Sequence, residues 1–281
     1  MNSGLPTISF VKASACGNDF LLIENALIPT GVDIHVLTKR ICDRHEGVGA
    51  DGVEWMLPHG SADVEIRLIN ADGSEAEISG NGTRCVAAYV CSQQKKEEIK
   101  IQTGAGLKTC ILTSHHDYEY EFEIGMGEAI VKSEVCLATR AGEVRGIPVS
   151  VGNPHYVVFV PTFAEDWQSQ AAEIQRSSHF KHGVNVEFVT IDGTHDVSAR
   201  FFERGVGETQ SSGTGSCAAA VAALATGRAD SPVNVRAVGG TQTLRREGGT
   251  IFLRGPARLL CRGEFFLSCK SGCSVASVGQ H

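Results

Sequence analysis

One short motif occurs twice in this chain, and its two serines lie 133 residues apart, at positions 79 and 212. The copies read Glu75-Ala-Glu-Ile-Ser79-Gly80-Asn81-Gly82 and Glu208-Thr-Gln-Ser-Ser212-Gly213-Thr214-Gly215. Each copy runs directly into an alanine-rich apolar stretch. A repeat at this separation predicts two similar units that face each other, with any shared site in the cleft between them.

A second pair of dipeptides keeps nearly the same distance from the repeated motif. Gly17-Asn18 precedes Ser79 by 61 residues counted from the asparagine, and Gly152-Asn153 precedes Ser212 by 59. Each Gly-Asn lies beside an apolar run. The repeated unit therefore extends well beyond one turn and its helix.

The length of 281 residues fits two domains of ordinary size, each able to bury its own core. We predict an α/β protein with two pseudo-symmetric domains at 1–130 and 131–270. The last strands of the second domain are free in this interpretation to pack back on the first. The small and polar segment 271–281 is expected to be a disordered tail.

Composition excludes several classes of function. With 42% hydrophobic residues, 20% charged residues and a net charge of −7, the chain is typical of a globular protein and is a poor candidate for binding nucleic acid. No apolar run approaches the roughly 20 residues that cross a bilayer, and the N-terminus lacks the apolar core of a signal peptide. We therefore expect a cytoplasmic protein with neither nucleic acid nor membrane as a partner.

The ten cysteines are scattered, and none forms a Cys-x-x-Cys pair. Their positions in apolar patterns favour buried or incidental free thiols, with disulfides and a zinc site as weaker alternatives. The cluster Cys261, Cys269 and Cys273 has no histidine at ligand spacing, so no metal site is expected.

Apolar and alternating runs predict strands in both halves. They lie at 8–11, 20–24, 53–57, 64–68, 99–102 and 118–124, then near 149–160, 186–191 and 197–203. Helices are predicted at 33–44, after residue 82, at 163–176 and at 215–226. Both copies of Ser-Gly-x-Gly thus stand where a strand gives way to a helix.

A Ser-Gly-x-Gly that opens a helix exposes unpaired backbone N–H groups and the positive end of the helix dipole, which together favour an anion. Alone, such a motif is usually an N-cap and nothing more. Two of them facing each other suit a substrate carboxylate with one acid-base group on each side of a carbon. This symmetry suggests stereoinversion, in which Ser79 and Ser212 remove and return a proton on opposite faces.

With these residues in view, the chain resembles the diaminopimelate epimerases, a family of cofactor-independent amino-acid epimerases. The resemblance rests on ordered motifs at 12–20, 44–52, 70–75, 152–155, 184–185, 202–205 and 207–209. It implies two α/β domains, each a strand barrel around a central helix, and a homodimer. It also implies lysine biosynthesis as the pathway.

The resemblance further implies a set of contacts with an amino-acid substrate. His155 and Glu203 match the pair that holds the α-amino group and assists proton transfer. The positions that resemble the other substrate contacts are Asn18, Asn70, Asn153, Asn185 and Arg204, with Gly80-Asn81 and Gly213-Thr214 as the backbone cradle of the reacting carboxylate. Taken singly, each asparagine is more typical of a turn or a cap.

The sequence departs from the family at the chemistry itself, because the two acid-base cysteines of the family are Ser79 and Ser212 here. Cys85 and Cys217 match other motif cysteines on the helices and are not the acid-base pair. An alcohol ionises several pKa units above a thiol, so an alkoxide base costs on the order of 7 kcal/mol more at about 1.4 kcal/mol per unit. Three explanations stay open: a deliberate change that traps substrate, a natural serine-type relative with a more acidic substrate or with His155 or Glu203 as its base, and a binder without catalysis.

The function predicted from the sequence is a diaminopimelate epimerase-type isomerase that works without pyridoxal phosphate, metal or nucleotide. Neither a Gly-x-Gly-x-x-Gly nor a P-loop follows a strand, and Gly-x-Ser-x-Gly is absent. The rivals are an isomerase or racemase of the same fold with another substrate, and a catalytically weakened ligand-binding homologue.

Overall fold

A computed structural model describes residues 6–140 and 142–267 of the chain. The predicted tail at 271–281 lies outside the described residues. The first half contains β1 (Thr7–Ala15), β2 (Asn18–Glu24), a 3-10 helix (Asn25–Leu27), α1 (Ile34–Cys42), β3 (Gly52–Leu57), β4 (Val64–Asn70), β5 (Glu75–Ala76), α2 (Gly80–Gln93), β6 (Glu98–Thr103), β7 (Gly106–His116) and β8 (Glu119–Glu128).

The second half repeats this plan. It contains β9 (Ile130–Val131), β10 (Val135–Thr139), β11 (Gly142–Ser150), β12 (Pro154–Phe159), α3 (Trp167–Gln175), β13 (Asn185–Ile191), β14 (Asp196–Glu203), β15 (Gly207–Thr209), α4 (Gly213–Ala225), β16 (Val233–Ala237), β17 (Gly240–Glu247) and β18 (Thr250–Phe266).

Strand pairing shows the pseudo-symmetry directly. In the first half β2 runs parallel to β3, β3 antiparallel to β4, and β4 parallel to β6. In the second half β12, β13, β14 and β16 pair in the same order and with the same directions. The predicted fold class, two similar α/β units, is confirmed.

Each half wraps its strands around one central helix. The α4 residues from Cys217 to Ala223 are buried on every side of the helix, and the α2 residues from Asn81 to Ala88 are buried in the same way. A helix that is buried on every side belongs inside a core, and its small residues let the strands approach closely. The α1 and α3 helices instead cover the outer faces of the strands.

The long strand β18 connects the two halves. It pairs with β17 through residues 250–254, with β8 through 250–258 and with β1 through 258–266. The C-terminal strand therefore completes the sheet of the first half. The division at residue 130 stays a prediction.

Two details of the predicted elements need correction. The stretch at 149–160 contains a turn, since β11 ends at Ser150, Gly152 adopts a φ of +97° and β12 begins at Pro154. The α3 helix starts at Trp167 and not at residue 163, because a turn in which Trp167 N–H bonds the Ala164 carbonyl precedes it.

The eight cysteines among the described residues are all free, and five of them are buried. This agrees with the predicted free thiols, while Cys269 and Cys273 lie outside the described residues. No helix in the described part of the chain is long and apolar enough to span a membrane.

Candidate active site

The two repeated serines cap the two central helices with the same geometry. Ser79 Oγ accepts a hydrogen bond from the Gly82 N–H at 3.1 Å, and Ser212 Oγ accepts one from the Gly215 N–H at 3.1 Å. Both serines have extended backbone, as an N-cap requires. The hydroxyl of each N-cap therefore stands at the positive end of its helix dipole.

The two helix N-termini meet end to end between the halves. A Cβ added to Gly213 would lie 3.8 Å from the Gly80 Cα. Since neither residue carries a side chain, no Cβ separates the first turns of the two helices, where the initial N–H groups of an α-helix lack intrahelical acceptors. Two anion-binding ends thus face one shared space.

The Gly-Asn dipeptides contact these N-termini in both halves. The side chain of Asn81 donates to Asn18 Oδ1 at 3.4 Å, and in the second half Asn153 donates to Thr214 Oγ1, also at 3.4 Å. Asn81 also reaches across to the other half, where it donates to Ser211 Oγ at 3.0 Å. The structure therefore brings the predicted residues of both motifs into one region.

His155 is held in place by two neighbours. Its Nδ1 lies 2.7 Å from Glu187 Oε1, and its Nε2 lies 2.9 Å from Asn153 Oδ1. The histidine and Glu187 are both buried, and burial raises the pKa of the Glu187 carboxyl while His155 opposes that rise. The buried carboxyl fixes the orientation of the imidazole, as an orienting residue does for a catalytic histidine.

Glu203 lies against Ser212 in the second half. Burial raises the pKa of the Glu203 carboxyl, and interactions with the Ser212 hydroxyl and with His155 oppose the rise. A carboxyl whose pKa lies closer to neutrality is better suited to exchange protons than an ordinary exposed one. Ser212 therefore has a carboxyl partner within its own half.

Of the remaining predicted residues, Asn185 begins β13, Asn70 ends β4 and Arg204 directly follows β14. Asn185 accepts the Arg204 N–H at 2.9 Å and donates to the Pro154 carbonyl at 3.2 Å, while the Arg204 guanidinium donates to the His182 carbonyl at 2.7 Å. Asn70 ends β4, and its side chain donates to Ser74 Oγ at 3.0 Å within its own turn. Contacts therefore join Asn185 with Arg204, and the substrate-binding roles of these residues stay predictions.

Sequence reasoning missed a polar layer beneath the two helix N-termini. Gln242 is buried, and in the amide orientation that satisfies both of its ends it donates to Ser216 Oγ at 2.7 Å and accepts from Arg84 Nη2 at 2.8 Å. Arg84 is itself buried and donates to Asn81 Oδ1 at 2.5 Å. The sequence feature that could have indicated this layer was Arg84, a charged residue in a helix whose neighbouring residues are mostly small or apolar.

Glu54 was also missed, although it is a carboxylic acid within a run of apolar strand residues. It is fully buried on β3, and among the described residues neither of its oxygens has a hydrogen-bond partner. A Cβ added to Gly82 would overlap Glu54 Oε1, so the carboxyl lies against the first turn of α2. Burial raises its pKa to about 8.

Replacing Glu54 by methionine is expected to stabilise the protein. An unpartnered buried polar group costs about 1–3 kcal/mol, so the free energy of unfolding should rise by that order at pH 8. The folded pKa lies above the ordinary 4.5, so the native protein loses stability as pH rises from about 4.5 through about 8. Urea unfolding at pH 5 and pH 8 measures both effects, and the gain should be larger at pH 8.

Glu187→Met is the matched control, because Glu187 occupies the equivalent strand position but is bonded to His155. Its removal leaves a buried imidazole without its partner and should destabilise the protein. Equal effects of the two substitutions would contradict the difference in partnering.

Comparison with known proteins agrees with this geometry. The family model described as "Diaminopimelate epimerase" matches residues 10–132 and 147–260. The diaminopimelate epimerase of Pelotomaculum thermopropionicum is 36% identical over 276 residues, covering 91% of this chain and 98% of the relative. That of Caldanaerobacter subterraneus subsp. tengcongensis is 35% identical, with coverage of 91% and 98%.

Solved structures show the same architecture at lower identity. A hydroxyproline epimerase from Agrobacterium vitis, with bound trans-4-OH-L-proline, superposes with a TM-score of 0.69 at 17% identity, covering 92% of each chain. A PhzF-family phenazine biosynthesis protein from Bacillus anthracis gives 0.68 at 15% identity, covering 93% of this chain and 99% of that one. These structures share the fold, and the family model together with the curated relatives defines the class as an isomerase of the epimerase type. The chain belongs to the diaminopimelate epimerase family.

Proposed function

We propose that this chain is a cofactor-independent amino-acid epimerase that inverts an α-carbon by two-base proton transfer, with diaminopimelate as its substrate. The observation that carries the proposal is the pair of serine-capped helix N-termini that meet end to end at Gly80 and Gly213. One carbon held between them has one hydroxyl on each side. The names of the relatives support diaminopimelate as the substrate and lysine biosynthesis as the pathway.

Substrate binding follows from the groups around this space. The N–H groups of the two first turns, at Gly80-Asn81 and Gly213-Thr214, bind the reacting α-carboxylate. His155 and Glu203 hold the α-amino group, since both lie in the second half beside Ser212. The distal amino-acid end is bound by Arg204 with Asn18, Asn70, Asn153 and Asn185.

Proton transfer requires a group on each face of the α-carbon. Ser79 removes the proton in one direction while Ser212 returns one from the other face, and the roles exchange in the reverse direction. The developing negative charge is stabilised by both helix dipoles. The reaction needs no electron sink beyond these dipoles and hydrogen bonds.

The organisation of the enzyme is part of the same proposal. It acts in the cytoplasm as a homodimer of two-domain subunits divided near residue 130. It works without pyridoxal phosphate, metal or nucleotide, and without nucleic-acid or membrane partners. Sedimentation of the purified chain tests the dimer.

Incubation with LL- or meso-diaminopimelate in deuterium oxide tests the function. We expect interconversion of the two isomers with one deuterium introduced at the inverted carbon, because each inversion draws a proton from a solvent-exchanged group. Calorimetry on the same sample measures binding. Saturable binding without exchange would make the protein a binder, and exchange into another amino acid alone would make it an isomerase with a different substrate.

A further inference from the structure

We propose that Glu54 is a positioning residue that acts through Ser79, accepting the hydroxyl proton when Ser79 receives a proton from substrate and returning it in the reverse direction. This inference rests on the proposed two-base reaction. It gives Ser79 the carboxyl partner that Glu203 provides for Ser212. Each alcohol is then paired with an acid that exchanges its proton.

Glu54 and Ser79 approach the same point of the structure. A Cβ on Gly82 would overlap Glu54 Oε1 and would lie 3.3 Å from the Ser79 Cβ. Both side chains therefore border the space that a Gly82 side chain would fill, although no hydrogen bond joins them in the structure. Ser79 Oγ already accepts the Gly82 N–H, and that bond leaves its own O–H proton available for donation.

The symmetry of the two halves shows why neither Glu54 oxygen has a hydrogen-bond partner among the described residues. Phe20 lies opposite Gly52 in the β2–β3 pair, and His155 lies opposite Asn185 in the β12–β13 pair. Glu54 follows Gly52 by two residues, and Glu187 follows Asn185 by two residues, so the two carboxyls occupy equivalent positions. Glu187 binds His155, whereas the equivalent Phe20 has no nitrogen to offer Glu54.

The surroundings of Glu54 suit a proton acceptor that works near neutral pH. Its carboxyl lies among apolar residues with the buried Cys85 thiol on α2 nearby, and burial raises the pKa of both groups. Buried polar groups without a partner are rare, and those that persist are often functional.

The proton transfers balance without a further reactant. The substrate Cα–H bond breaks and its proton joins Ser79 Oγ, while the Ser79 O–H bond breaks and that proton joins the Glu54 carboxylate. On the other face the Ser212 O–H proton joins the carbanion, and Ser212 takes a proton from the Glu203 carboxyl. The starting protonation state returns through exchange of both carboxyls with solvent or through the reverse reaction.

The first test compares Glu54→Gln in two backgrounds. In the native Ser79 enzyme we expect kcat for diaminopimelate to fall by about 10²-fold or more with little change in KM, because the alcohol loses its proton acceptor. In the Ser79→Cys background the same substitution should change kcat by less than about 5-fold, because a thiolate forms without an adjacent base. Glu54→Asp, which keeps a carboxyl, should recover part of the activity in the native background.

A structural role for Glu54 predicts a different pattern. Glu54→Gln would then lower kcat by the same factor in both backgrounds, and that result would overturn the proposal. If neither the native nor the Ser79→Cys enzyme exchanges the diaminopimelate α-proton, the proposed function fails instead, and the second test decides on Glu54 alone.

The second test needs no substrate. The infrared band of the protonated Glu54 carboxyl, identified by its loss in Glu54→Gln, should shift in Ser79→Ala because the hydroxyl that is proposed to exchange its proton with this carboxyl is removed. Ser212→Ala is the matched control and should leave that band unchanged. A band that Ser79→Ala does not move would exclude the Ser79 and Glu54 pair whatever the enzyme's activity.

Discussion

The double variant Ser79→Cys with Ser212→Cys is expected to epimerise diaminopimelate at least about 100-fold faster than the chain with serine at both positions. A thiol has an ordinary pKa of about 8.5, and a helix N-terminus lowers it toward neutrality, whereas an alcohol ionises far above this range. Both helix N-termini are already in place, with the N–H groups of Gly82 and Gly215 directed at the side chains of residues 79 and 212. The rate of isomer interconversion under saturating substrate measures the effect.

The single variants provide the control for this prediction. Ser79→Cys or Ser212→Cys alone should recover much less activity, because inversion needs a competent group on each face of the carbon. An inactive double variant that still binds diaminopimelate would mean that the missing element lies elsewhere in the site. A native enzyme that converts another substrate, and loses that activity in the double variant, would mean that the serines are adapted to that substrate.

The sequence predicted the helix caps well because capping is a local property. The spacing between Ser79 and Gly82 is the spacing over which an N-cap hydroxyl accepts an N–H, and the structure shows that bond in both copies. Strand positions were predictable for the same reason, since alternation and apolar runs lie within a few residues. The α3 helix was predicted too long, because its apolar pattern extends back through a turn that is closed by a backbone hydrogen bond.

Contacts between the halves could not be read from the sequence. Asn81 and Ser211 are 130 residues apart, and nothing in either neighbourhood indicates that they bond. The sequence also did not indicate that the Glu54 side chain lies on the side of β3 that faces α2. Because β3 is buried on both sides, its residue pattern does not distinguish one side from the other. The repeat predicted only that the two units contact each other. The individual contacts come from the structure.

The two halves are equivalent in topology but not in chemistry. The first half offers Ser79 a buried carboxyl against apolar residues, while the second offers Ser212 a carboxyl together with a histidine. In the proposed reaction, the two serines therefore act in different surroundings. This asymmetry allows the two proton transfers to be separated by experiment.

Ser79→Ala and Ser212→Ala are each expected to lower isomer interconversion by about 10²–10⁴-fold, because each removes the acid-base group of one face. They should differ in proton exchange. The remaining serine can still remove the α-proton of the isomer that faces it and return a deuteron to the same side, so each variant should exchange one isomer and not the other. Mass spectrometry of the recovered LL- and meso-diaminopimelate in deuterium oxide measures this exchange.

The decisive result would be that the two variants exchange opposite isomers. Loss of the cap alone costs about 0.5–2 kcal/mol of stability for alanine and only a few tenths for glycine, so Ser79→Gly and Ser212→Gly should show the same exchange patterns in better-folded proteins. If both serine variants exchanged both isomers, a single base such as His155 or Glu203 would serve both faces. Exchange of opposite isomers, in contrast, requires that the two serines act from opposite sides of one carbon, which is the arrangement that the facing helix N-termini provide.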